Sequence, residues 1–271
     1  MREQLHQLLA TLRFHGMAQV LDRCLDQAEQ DGQPFTRVLL QLLQEELRHR
    51  QERSLAYRIT QAKLPWDWSL DTFPFAQQPA VNTSQIKSLA GLDFIGRAQN
   101  IVFVGPPGTG KTGLAIGLLR QALINGHRGR FYKAQDLIDE LYASLADRST
   151  TRLLNRLSQY DVLLIDELGY LTLKSEQVNA FFKLLDQRYG KVPTIITTNL
   201  VYSDWYELFQ RKSLVDALLD RLQHHCITIE INGPSLRTPE TATEPKPRPR
   251  SSGTKTHTSK KPRKQTPSLQ D

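Results

Sequence analysis

The residues whose types and spacing can do chemistry are the run GPPGTGKTG, from Gly105 to Gly113, and the carboxylate pair Asp166 and Glu167. Gly105, Gly110, Lys111 and Thr112 satisfy G-x-x-x-x-G-K-[ST], with an apolar β-forming run (Ile101 to Val104) before the loop and helix formers after it. Glycines at these places let the backbone turn its N–H groups inward around phosphates, while the helix that follows presents its positive end to the same charge. Gly105, Pro106, Pro107, Gly108, Thr109, Gly110, Lys111, Thr112 and Gly113 are therefore the expected nucleotide-binding residues. Lys111 is expected to reach the β and γ phosphates of ATP, and Thr112 to ligate Mg²⁺.

The segment DVLLIDELGY supplies the second half of such a site. Val162 to Ile165 form a buried strand that ends in Asp166, expected to hold Mg²⁺ through water, and in Glu167, expected to polarise an attacking water. The competing reading, two acidic residues capping the next helix, explains less. Asn199 closes the strand TIITTN and is placed to hold the lytic water. Two arginines follow, Arg221 on a short helix and Arg237 after a strand. Either can stabilise transition-state charge at a γ-phosphate, from its own or a neighbouring subunit. Spacing alone equally allows them to be ordinary salt-bridge residues.

The elements that must position these groups alternate along the chain. Strands are expected at Ile101 to Val104, Arg130 to Tyr132, Val162 to Asp166 and Thr194 to Thr198. Helices are expected from Gly110, over Leu137 to Leu145, Thr151 to Gln159 and Glu176 to Arg188. Such alternation predicts an α/β fold, a parallel sheet flanked by helices. Before it, residues 1–79 read as helical. Leu5, Leu8, Leu9 and Leu12 share one stripe, Met17, Val20, Leu21 and Leu25 a second, and Leu39, Leu42, Leu43 and Leu47 a third. All three are expected to be core. From Arg48 to Lys63 the third helix carries Arg48, Arg50, Arg53, Arg58 and Lys63 against Glu52 alone, either a solvated face or a surface that meets something acidic. The segment LPWDWSLDTFPFAQQP, with prolines and four aromatics, predicts a packed linker.

The 271 residues carry a net charge of +7, and eight Lys and Arg against three carboxylates put +5 of it beyond Thr238. That stretch, rich in Pro, Ser, Thr and Lys, predicts a disordered basic tail over 238–271, leaving an ATPase part over 80–237. The two cysteines, Cys24 and Cys226, lie in unlike surroundings, which disfavours a disulfide framework. No apolar run has the length of a membrane helix and MREQLHQLL lacks a signal pattern, so a cytoplasmic protein without membrane attachment is expected. HHC, His224 to Cys226, has no second ligand cluster at metal spacing, which favours packing over zinc.

GPPGTGKT, LLIDELGY, IITTNL followed by DWYELF, and the closing LLDRLQHH and INGPSLR together resemble the IstB family of AAA+ ATPases, transposition helpers of bacterial insertion sequences. The resemblance runs from LRFHGMAQVL to Arg237. It implies Walker A roles for Lys111 and Thr112, Walker B roles for Asp166 and Glu167, sensor 1 for Asn199, an arginine finger at Arg221 and sensor 2 at Arg237. It also implies that FIGRAQN, Phe94 to Asn100, lies near base and ribose. Leu236 stands where the family often has tyrosine, and the basic tail is not a shared feature. By the same resemblance the chain is expected to be an ATPase that assembles with ATP into a homo-oligomeric ring or spiral on duplex DNA, bends it and delivers it to a partner transposase. A replicative helicase loader of the DnaC type is the alternative. DNA contacts are expected mainly with the backbone, from the Arg48 to Lys63 helix, the tail, or both.

Overall fold

The computed structural model describes residues 1–169, 173–209 and 212–237. The expectation of a disordered tail falls outside them. Three helices come first: α1 (Arg2–Thr11), α2 (His15–Asp31) and α3 (Phe35–Ala62). Their small core is Leu9, Met17, Leu21, Cys24, Val38 and Leu42. Gly16 sets how closely α2 approaches α3, because a Cβ there would lie 2.8 Å from the Glu45 carbonyl oxygen and 2.9 Å from Glu46 Cα. That approach lets the buried Glu46 carboxylate accept the Gly16 and Met17 amides at 2.7 and 3.2 Å, closing free donors at the start of α2. Burial pushes this carboxyl up, but the Arg50 bond and the two amides outweigh it and leave it below its usual range.

The leucine stripes depart from expectation. Leu9 and Leu42 are buried, whereas Leu8, Leu12, Leu43 and Leu47 are each at least half exposed. The physical reason is partner supply: three helices offer one shared seam, so each stripe buries only the residues that face it.

The chain then crosses a linker and two short helices, α4 (Thr83–Ala90) and α5 (Asp93–Gly96), before the α/β part. Asn82 caps α4, its side chain accepting from the Ser84 and Gln85 amides. The remaining order is β1 (Asn100–Val104), α6 (Lys111–Ile124), β2 (Gly129–Lys133), α7 (Ala134–Ala146), α8 (Thr150–Ser158), β3 (Val162–Asp166), α9 (Ser175–Arg188), β4 (Thr194–Thr198), α10 (Trp205–Phe209), α11 (Lys212–His224) and β5 (Cys226–Glu230). The five strands among the described residues lie in the order β2-β3-β4-β1-β5, and every neighbouring pair is parallel.

Alternation through the pleat divides the core in two. Ile101, Phe103, Val162, Leu164 and Ile195 face α4, α5 and α6. Val102, Val104, Leu163, Ile165 and Ile196 face α7 to α11. With both faces covered, the strands β1, β3 and β4 are buried at every position, so they carry continuous apolar runs. The linker earns its packing through Leu64, Leu70, Phe73 and Phe75, which lie against the first of these clusters. Among the described residues no helix is long and apolar enough to cross a membrane.

Candidate functional site

The loop between β1 and α6 lies at the C-terminal ends of the strands, where open parallel sheets bind ligands. Gly105, Gly108 and Gly110 take φ values of +152°, +82° and +91°, which turn the loop back on itself ahead of α6. Gly108 is also needed for space, since a Cβ there would collide with the Ser235 side chain. The segment after β5 thus lies across the loop as a strap. Leu236 N–H donates to the Gly108 carbonyl at 2.8 Å. Gln78 in the linker donates to the Pro234 carbonyl at 2.8 Å and to the Thr109 carbonyl at 3.2 Å, tying linker, loop and strap together.

Lys111 folds its ammonium back onto the loop, donating to the Gly105 and Pro106 carbonyls at 2.6 and 2.7 Å. Burial pushes its pKa down, with Asp166 pulling the other way and Arg237 adding to the fall. A partly buried ammonium held by neutral carbonyl oxygens is ready to exchange them for stronger anionic acceptors.

Asp166 ends β3 almost wholly buried. Its Oδ1 accepts from the Thr112 hydroxyl at 2.8 Å and from the Thr197 hydroxyl at 2.6 Å. Burial raises its carboxyl above the ordinary range, although the Thr197 and Thr112 hydroxyls both favour the charged form. A Thr hydroxyl and a carboxylate oxygen side by side at a phosphate loop are the hard oxygen donors that Mg²⁺ takes, so the residues present fit the ion. Glu167 follows with φ at +61°, a left-handed turn that a non-glycine residue holds only when its surroundings enforce it. The enforcement comes from β4. Glu167 N–H donates to Thr197 Oγ1 at 3.0 Å, and Leu168 N–H to the Thr197 carbonyl at 2.9 Å. The turn exposes the Glu167 side chain at the cleft. Asn199 stands on the same wall, its carboxamide oxygen buried without a partner among the described residues.

These groups surround a cleft of about 550 Å³, a size that suits a nucleotide. Lys111, Thr112, Glu167, Thr197, Asn199 and Arg237 give it a polar floor. Trp68, Phe73 and Leu236 give it an apolar wall. Trp68 stacks on Trp66 with centroids 4.6 Å apart and planes at 17°, and Phe73 meets Phe75 edge-on at 4.8 Å.

Most of the expected site residues therefore meet in one place: the loop from Gly105 to Gly113, Asp166, Glu167, Asn199 and Arg237. Arg221 does not. It lines a separate hollow with Asn100 and Thr194, which begin β1 and β4, at the opposite ends of the strands. There it pairs with Asp186 at 2.9 Å and lies 5.7 Å over the Tyr189 ring. FIGRAQN also lies outside the cleft: Phe94 is core, and Ile95, Gly96 and Arg97 line an open hollow with Asn125 and His127. His225 of HHC packs edge-on against Tyr189. Trp68, Phe73 and Thr197 also belong to the site, although nothing in their sequence context marks them. Aromatics in a linker signal packing as readily as ligand contact, and a Thr inside a strand carries no mark of facing a carboxylate at the end of the neighbouring strand.

The family model of the IstB-like ATP binding protein matches residues 7–243 of this chain. The chain belongs to the IstB-like ATP-binding family. It is 38% identical over 237 residues to the ATP-binding protein of insertion sequence IS21 of Pseudomonas aeruginosa, covering 88% of this chain and 89% of that one. It is 35% identical to the ATP-binding protein of IS5376 of Geobacillus stearothermophilus, covering 88% and 94%. Among solved structures it resembles the DnaC helicase loader, at 27% identity and a TM-score of 0.51 over 63% of this chain and all of that one. The DnaI structure, at 20% identity and a TM-score of 0.52, shares the fold. This IstB-like chain thus has the P-loop sheet of the AAA+ loaders, and its likeness to the insertion-sequence proteins extends over its N-terminal helices as well.

Proposed function

We propose that this chain hydrolyses ATP as a switch for transposition, assembling with ATP on duplex DNA, bending it and delivering it to a partner transposase, with hydrolysis driving disassembly. The observation that carries the reading is the Asp166 carboxylate clasped between Thr112 of the phosphate loop and Thr197 of β4, with Glu167 turned into the cleft beside it. The insertion-sequence relatives span 88% of the chain, against 63% for the loader structure, which favours this reading over helicase loading.

When bound, ATP and Mg²⁺ supply the reacting phosphoryl group and the charge that offsets its oxygens. Lys111 leaves its two carbonyls to hold phosphate oxygens, and the loop amides from Gly108 onward orient the chain of phosphates. Thr112 and Asp166 hold the ion. Glu167 takes the proton of the attacking water, which Asn199 orients. Trp68 and Phe73 wall the cleft against solvent and offer their faces to the base. Arg237 reaches the phosphates from the same chain.

Arg221 acts on the cleft of a neighbouring subunit. Its Asp186 partner is 57% exposed, so the pair is a surface one that costs under about 1 kcal/mol to open. Arg221→Ala is expected to lower turnover by about a thousandfold. Mixing it with a Glu167→Gln subunit restores part of the activity, because each supplies what the other lacks. Steady-state ATPase assays across mixing ratios read this, and activity that at no ratio rises above that of the two variants alone would set aside a finger working between subunits.

Light scattering on a duplex fragment tests the assembly. Large complexes are expected with ATP and duplex together and not with ADP. A protein that stays small on duplex, or gathers only on single strands, contradicts the transposition reading.

A further inference from the structure

At the far end of the sheet from the nucleotide cleft, a hollow of about 220 Å³ opens between α3 and the beginnings of β2 and β3. Tyr57, Arg58 and Gln61 line it from α3, Arg128 from the start of β2, and Arg156 and Tyr160 from the approach to β3. Three guanidiniums around so small a space repel one another unless something negative stands between them.

The carboxylates nearby fill that role only in part, and none of them pairs with Arg58. Asp161 Oδ2 accepts the Arg128 backbone amide at 2.7 Å, and its other oxygen stays 3.8 Å from the Arg128 guanidinium. Glu140 pairs with Arg156. Arg58 bonds neutral oxygens, the Leu123 carbonyl at 2.8 Å and the Ser54 hydroxyl at 2.6 Å. Arg130, next along β2, donates to the Gln61 carbonyl at 2.8 Å, and its buried Nε has no partner among the described residues. Earlier on α3 the pattern differs, for Arg48 pairs with Glu45 and Glu52, and Arg50 with Glu46. The basic run of α3 is thus neutralised in its first half and left in cationic excess where it meets the sheet.

We infer that this hollow grips a backbone phosphate of duplex DNA, with Arg58, Arg128 and Arg156 as its cations and the Tyr57 and Tyr160 hydroxyls as further donors. The inference rests on the duplex-binding reading above and assigns the contact to named residues. Guanidiniums match phosphate oxygens two at a time, and tyrosine hydroxyls complete such contacts without reading sequence. A polymer has room to reach the site, since the Arg128 and Arg156 side chains are 62% and 55% exposed. Its place at the strand beginnings separates it from ATP, which belongs to the strand ends. Phosphate there orders α3 against the ATPase core, so DNA binding fastens the N-terminal helices to the sheet.

The test is fluorescence anisotropy of a labelled random-sequence duplex with the full chain and ATP, across a salt series. Arg128→Gln/Arg156→Gln removes two exposed cations, and Arg128→Glu reverses one. Each is expected to keep its thermal midpoint and its affinity for a fluorescent ATP analogue. The double variant is expected to lose on the order of tenfold in duplex affinity and to flatten the slope of log affinity against log salt by about 2. Wild-type affinity and slope in both variants overturn the inference while leaving duplex binding itself standing. Loss of inorganic phosphate binding with unchanged duplex binding makes the hollow an anion site only and overturns it too. Failure of the unaltered chain to bind duplex at any salt removes the underlying reading and this inference with it.

Discussion

Glu167→Gln is expected to cut ATP turnover by about 100-fold or more, worth about 2.7 kcal/mol of barrier, while ATP binding and ATP-dependent assembly persist. Gln has nearly the shape of Glu and can keep the backbone bond to Thr197 Oγ1 that imposes the left-handed turn. It lacks only the capacity to accept a proton at neutral pH. Steady-state phosphate release reports turnover, and equilibrium dialysis with light scattering reports binding and assembly. Turnover within about threefold of the unaltered chain would take Glu167 out of the chemistry. Simultaneous loss of binding would instead make it a ligand of the nucleotide. Asp166→Asn serves as contrast: it removes a costly buried charge, so the free protein gains stability, yet it weakens nucleotide binding by spoiling the ion's ligand.

Arg188→Ala is expected to have the largest effect on stability, a loss of about 3–5 kcal/mol. Arg188 is 1% exposed at the end of α9. Its guanidinium donates to the Leu157 and Tyr160 carbonyls at 2.7 and 3.0 Å, to the Pro193 carbonyl at 2.6 Å and to Thr194 Oγ1 at 3.1 Å. One side chain thereby joins the end of α8, the approach to β3 and the start of β4. Burial lowers its pKa to about 9, so it remains charged at neutral pH. Truncation takes the guanidinium donors from the Leu157 and Tyr160 carbonyls, leaves the Pro193 carbonyl only its long 3.4 Å bond from the Leu163 amide, and opens a cavity the size of the side chain. A fall in Tm on the order of 10 °C is the expected reading. Arg188→Met separates the causes: it refills most of the volume, so a variant as stable as the unaltered chain would show that packing, and not the carbonyls, gives Arg188 its weight.

The two residues differ in how they announce themselves. Glu167 sits in a pattern whose chemistry is readable from its neighbours, a buried apolar run ending in two carboxylates. Arg188 closes an expected helix and looks like any helix-ending arginine, because its acceptors are main-chain carbonyls, which leave no trace in residue types. Lys111, Thr112, Asp166 and Asn199 belong with Glu167: loop and strand-end spacing sufficed to bring them together. Trp68 and Phe73 belong with Arg188, for only the path of the linker over α6 turns them toward the cleft. The exposed Leu8, Leu12, Leu43 and Leu47 mark the opposite failure. A helical stripe says which side of a helix is apolar and not how much of it a neighbour covers.

Short-range patterns by themselves determined the alternating elements, the parallel sheet, the phosphate loop and the carboxylate pair. Each depends on the residue's own conformational preferences and on its few neighbours along the chain. Long-range approach alone decided the rest: the strap that closes the loop at Gly108, the aromatic wall, the exile of Arg221 from its own chain's cleft, and the gathering of Arg58, Arg128 and Arg156. Those residues are brought together by the order β2-β3-β4-β1-β5 and by the path of α3 to the sheet edge. Such contacts form only when distant segments bury their apolar faces against one another, and that burial is a property of the folded whole.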